Sequence, residues 1–304
     1  MTEKLFGLFE SPEHKLLATG FGFTDGPLWH PDGYWEFADI PANRVYWLPP
    51  GGAPGTLREN SGGSNGRTFD IKGRVVSCEG EARRVTRRET NGRYTTLAEH
   101  IGDKRLSRPH DLVCRSDGSI FFSDPQGHLS PQEQELGFGG IHRILPDGSV
   151  MIATMDTEYP NGLAFSPDEA TLYIAITRLD DGCLEEKRRG EVCLHQFIRA
   201  FTVASDGSLS DNRIFAQMFS AEPGVPVGVK VNAEGRVFCN GPGGCWVFEP
   251  SGEYLGIIRL PEIPANCAWG EADNSTMLFT AGKSVYSLRM KSPGCPLPGA
   301  PRPS

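Results

Sequence analysis

Six copies of one short pattern constrain this chain more than any other feature. In each copy a lead residue opens a short apolar run, and a turn residue follows eight positions later. The leads are Asp25, Asn65, His110, Asn161, Val227 and Asn266; the turn positions are Gly33, Gly73, Gly118, Glu169, Gly235 and Asn274. A second strand-like run follows every turn, as in Tyr34-Trp35-Glu36-Phe37-Ala38 and Leu172-Tyr173-Ile174-Ala175-Ile176. Tight turns between such runs are hairpin signals. Successive leads lie 40, 45, 51, 66 and 39 residues apart, which is blade-sized spacing with insertions. The pattern predicts an all-β, six-bladed β-propeller with four-stranded blades around a central channel, residues 1–291 forming one domain. Residues 15–22 are expected to supply the outer strand of the last blade. The Pro-rich tail, 292–304, is expected to be disordered.

Composition agrees and excludes some functions. Gly 37 and Pro 24 make a fifth of the 304 residues, which fits many turns between short strands. No stretch has the helical period that an α/β fold needs. With a net charge of −8 and only short basic clusters, Arg83-Arg84 and Lys187-Arg188-Arg189, a nucleic-acid partner is not expected. No apolar segment is long enough for a leader or a membrane span, so a cytoplasmic protein with no membrane partner is expected. None of the 8 cysteines forms a Cys-x-x-Cys pair, and reduced thiols are the expectation, with a Cys183–Cys193 disulfide left open. The insertion 178–197 reads as a surface loop or as a lid. A closed ring of blades is expected to work as a monomer on a small-molecule substrate, with no organic cofactor.

The residue before each innermost strand sits at one mouth of a propeller, so the six leads should form a ring. Five of them are polar, and convergent polar groups in a cleft mark a binding site. Asn and Asp before Gly also satisfy turn backbone, so single positions do not decide.

Five segments stand out: Thr-Asp-Gly-Pro-Leu-Trp (24–29), Ser-Asn-Gly-Arg-Thr-Phe-Asp (64–70), Arg-Pro-His-Asp-Leu (108–112), Pro-Asn-Gly-Leu-Ala-Phe-Ser-Pro-Asp-Glu (160–169) and Gly-Pro-Gly-Gly-Cys-Trp-Val-Phe (241–248). Together they resemble the gluconolactonase, senescence-marker-protein and luciferin-regenerating-enzyme family. The resemblance implies a lactone-opening hydrolase with one divalent cation, calcium or similar, held by a Glu, an Asn and an Asp. Carried over, these fall on Asp25, Asn161 and Val227. Valine has no lone pair, so the expected metal site is degenerate, with Asp25 and Asn161 as its remaining ligands. His110 stands where the family has Asn; with Arg108 and Asp25 it becomes the expected catalytic group. Asn65, Asn161, Val227, Asn266 and Asp124 are expected to bind substrate. Ile176 stands where the family often has Asp, and with Val227 it is expected to make that side of the mouth apolar. The alternatives are a metal-independent isomerase, cyclase or decarboxylase, and a propeller that binds without catalysis.

Overall fold

In the computed structural model, residues 3–127, 129–177 and 188–299 are described. Six four-stranded antiparallel sheets stand in a ring, and the innermost strands of neighbouring blades touch all the way round. The innermost strands are Thr24–His30, Ser64–Phe69, Leu112–Cys114, Pro160–Phe165, Val229–Val231 and Pro264–Gly270. The expected fold is therefore the observed one. Lys15–Thr19 pairs antiparallel with Ser284–Arg289, so the chain's beginning completes the blade that its end begins. That pairing closes the ring, with Lys15–Thr19 as the outer strand of the last blade.

All six turn positions have positive φ, including the two with side chains, Glu169 at 57° and Asn274 at 52°. The hairpin geometry is thus the same whether or not glycine fills it. The core lies between blades. Phe238 and Val247 of blade 5 pack on Met277 and Phe279 of blade 6, and Val76 and Cys78 of blade 2 pack on Leu112 and Phe122 of blade 3. Each such buried side chain contributes roughly 1.5–3 kcal/mol of transfer free energy.

Two details position the site. The innermost strands of blades 3 and 5 begin two residues after their leads, behind Pro109 and Pro226, whose rings remove a ladder donor. In blades 1, 2 and 4 the strand bulges at its start, between Asp25 and Leu28, Ser64 and Arg67, and Pro160 and Leu163. Bulges re-aim side chains at sheet ends.

The tail departs from expectation. Its described part, to Gly299, is docked across the turn end of the channel. Gly294 exchanges backbone hydrogen bonds with Asn274 through that residue's carbonyl and amide side chain, both 2.9 Å, and Cys295 N donates to Val231 O at 3.1 Å. Leu297 packs on Leu28, Phe69 and Val75. Composition predicted disorder, but a few backbone bonds and one apolar anchor are enough to order a Pro-rich segment already stiff in φ. Cys193 and the six other described cysteines are free thiols; Cys183, His128 and insertion residues 178–187 lie outside the described residues. No helix among the described residues is long and apolar enough to cross a membrane.

Candidate active site

The leads form a ring because the backbone makes them do so. Gly66 N donates to His110 O at 2.9 Å, Gly162 N to Val227 O at 2.8 Å, and Gly228 N to Ala265 O at 2.9 Å. Each bond ties one blade's strand start to the next blade's. The approach is close enough to require glycine: a Cβ at Gly26 would lie 2.0 Å from Asn65 O, and one at Gly162 would lie 2.2 Å from Val227 O.

Within this ring, blades 1 to 3 assemble a polar group. Asn65 Nδ2 lies 3.1 Å from His110 Nε2, and Asp25 Oδ1 accepts Gly26 N at 2.6 Å. Asp25 is 1 % exposed. Burial raises its pKa, with the nearby His110, the Gly26 N–H and Asn266 holding it back. Burial likewise lowers the pKa of His110, while the charges of Asp25 and Asp111 oppose the shift and that of Arg108 adds to it. A neutral imidazole beside an acid is the pairing that proton transfer uses.

Arg108 sits at the same mouth, half-buried. Its charge reaches His110 and Tyr159, yet no carboxylate among the described residues lies within ion-pair distance of its guanidinium. Asp124 explains how it is held and corrects an expectation. That carboxylate is fully buried and accepts the backbone N–H of Ser107 at 2.8 Å and of Arg108 at 2.6 Å. His142 Nε2 lies 3.4 Å away on its far side. Asp124 therefore positions the Arg108 backbone and presents no free oxygen to a substrate.

Three buried atoms at the ring lack a hydrogen-bond partner: Asn65 Oδ1, His110 Nδ1 and Asn161 Oδ1. Buried polar atoms are normally satisfied, so three on one ring point to a ligand or ordered water there. Asn266 differs, since its Oδ1 accepts Cys267 N at 2.9 Å and its Nδ2 donates to Asp111 Oδ2 at 3.3 Å.

Asp111 and Lys230 were missed by sequence reasoning. Lys230 Nζ lies 3.4 Å from Asp111 Oδ2, so an ammonium from blade 5 crosses the channel to blade 3. One signal was available: Asp111 fills the place that glycine takes after four of the six leads. Lys230 is a lone cation in Val229-Lys230-Val231, which an apolar inner strand does not need.

The opposite arc is poorer. Val227 is half-buried, and Ile176 is fully buried in the core between blades 3 and 4, so it does not line the mouth as expected. Ile176 pairs with Pro160 and Phe197 within its sheet, which turns it inward. Few donors stand at the three positions expected to hold a divalent cation. Asp25 offers one carboxylate, already bonded to Gly26 N, Asn161 offers one amide oxygen, and Val227 offers none. Calcium draws six to eight oxygens and favours carboxylates.

The comparisons with known proteins converge on one family. A family model described as SMP-30/Gluconolactonase/LRE-like region matches residues 23–283. The chain is 27% identical to a gluconolactonase of Zymomonas mobilis, over 92% of this chain and 82% of that protein. It is 26% identical to a pentonolactonase of Haloferax volcanii, over 88% and 84%. A solved gluconolactonase of Xanthomonas campestris superposes with a TM-score of 0.82 at 30% identity, covering 95% of this chain and 93% of that one. The propeller described above, with its ring of leads, is thus a member of the SMP-30/gluconolactonase/LRE-like family.

Proposed function

We propose that this protein hydrolyses a small lactone or cyclic ester at the ring, by acid–base chemistry that does not depend on a tightly bound metal. The observation that carries the reading is the set of unpartnered buried atoms at the ring, beside an Arg108 with no acid partner among the described residues. The relatives' activities supply the reaction class.

The Asn65 contact governs which imidazole nitrogen carries the proton. With the amide NH2 toward Nε2, the proton sits on Nδ1; with the amide turned, Nε2–H donates to Oδ1 and Nδ1 is a bare base. The turned amide satisfies the orphaned Asn65 Oδ1 and opens the lone pair that catalysis needs. His110 Nδ1 then takes a proton from water as the oxygen attacks the carbonyl carbon. Arg108 steadies the oxyanion, a donor contribution typically worth ~10²–10³ in rate. As the ring C–O bond breaks, the imidazolium returns its proton to the leaving oxygen, and the Asp25 charge stabilises the imidazolium in between. Atoms balance as lactone plus water giving hydroxy acid.

The test is turnover of a lactone panel in oxygen-18 water, read by mass spectrometry. One solvent oxygen in the product carboxylate is expected. Turnover at unchanged mass would replace hydrolysis by isomerisation, and binding without turnover would leave a binding propeller.

A further inference from the structure

Below the ring, toward the hairpin turns, lies a chamber of about 1040 Å³, apart from the proposed chemistry. Leu112, Leu163, Phe69 and Ala268 give it apolar walls, and the docked tail from Pro293 to Pro298 closes its far end. That volume is at the upper end for small-molecule pockets.

One buried cation of blade 2 breaks the apolar lining. Arg67 is only 4 % exposed; its Nη1 donates to Gly26 O at 2.8 Å and its Nη2 to Ser64 Oγ at 2.9 Å. No carboxylate among the described residues forms an ion pair with it. Glu36, whose charge reaches it, is already paired with Arg88 at 2.5 Å. Burial lowers the guanidinium to about 10, the mark of a cation whose lost hydration is not made good. The other charged groups of the lining are engaged: Lys230 with Asp111, Glu169 with Ser116 N at 2.8 Å, and Glu271 with Thr276 Oγ1 at 2.5 Å.

We propose that this chamber is a second binding site, for an amphipathic monocarboxylate whose carboxylate meets Arg67 and whose hydrocarbon chain lies along the apolar wall beneath the tail. A carboxylate supplies the missing charge. The chain buries against leucine and phenylalanine surface rather than against polar groups. This site stands independently of the chemistry at the ring.

Titration calorimetry of the full chain with octanoate and with 1-octanol tests it. One octanoate per chain is expected, with 1-octanol at least tenfold weaker. In Arg67→Gln, octanoate affinity falls at least tenfold, while in His110→Ala it is unchanged. Absence of octanoate binding, equal affinity for the alcohol, or loss of binding in His110→Ala would each overturn the proposal. Should Arg67→Gln fail to fold by circular dichroism, the comparison of octanoate with 1-octanol on wild type decides by itself, and equal affinity overturns the proposal.

Discussion

The arc of the ring from blade 1 to blade 3 and the arc through blades 4 and 5 are built on the same repeat and carry opposite chemistry. His110 N donates to Ser123 O and His110 O accepts from Gly66 N; Val227 N donates to Asn240 O and Val227 O accepts from Gly162 N. The backbone roles of the two leads are identical, one bond to the blade's second strand and one to the preceding blade. The fold therefore asks nothing of the lead's side chain. One arc has gathered Asp25, Asn65, His110 and Arg108, while the other keeps a single amide at Asn161 and an isopropyl group at Val227. A closed repeat fixes where functional groups stand and leaves their chemistry free, which is why a propeller can exchange one reaction for another without refolding.

The contrast can be broken most directly by deleting the imidazole. His110→Ala is expected to lower kcat/KM for lactone hydrolysis by ~10²–10⁴, whereas Val227→Ala should change it by less than about threefold. Equal effects in steady-state assays of the two variants would erase the distinction between the arcs. Next in size, Arg108→Gln should reduce kcat by ~10²–10³ with a smaller change in KM, and Arg108→Lys should recover part of the loss. A change confined to KM would show that Arg108 holds substrate and not the oxyanion.

Converting the poor arc sharpens the comparison from the other side. In Val227→Asp, a new carboxylate joins Asn161 and Asp25, and calcium should bind with a Kd below about 1 mM. Calorimetry would detect it, and an unaltered heat relative to wild type would show that these three positions do not face a common point. The smallest effect is one of linkage. The folded pKa of His110 is depressed, so below the ordinary imidazole value near 6.5 the unfolded chain binds the proton first, and stability falls as pH drops through that range. His110→Gln removes this dependence. The difference in Tm between wild type and His110→Gln should then shift against wild type as pH falls from 7 to 5, and a constant difference would mean the imidazole is not desolvated. The same depression places the acid limb of the activity profile below pH 6.5, since the base must be neutral.

Much of this was legible in the sequence. The eight-residue offset from lead to turn gave the blade number, because a β-hairpin has a fixed period and its turn requires a positive φ at one place, and the shortness of the last blade pointed to residues 15–22 as the strand that completes it. The positions of the leads were legible for the same reason. Asp111, Lys230 and Arg67 were not. The bulge after Ser64 breaks the alternation of faces before Arg67, and in blades 3 and 5 the inner strand begins only two residues after the lead, so counting by twos from the lead does not say which side chains enter the channel. Asp124 and Ile176 were misplaced because linear motifs do not reveal depth: one lies behind Arg108 holding its amide, and the other lies in the core between blades 3 and 4. The tail was misjudged because composition carries no record of Asn274 and Val231, the groups that hold it.

The most direct test of the account is the rate of lactone hydrolysis before and after exhaustive chelation, measured on wild type. The account predicts that the rate is retained after chelation and is lost in His110→Ala. A rate that collapses on chelation and returns with added calcium would contradict it, and would put a metal held by Asp25, Asn161 and water, and not the imidazole, at the centre of the chemistry.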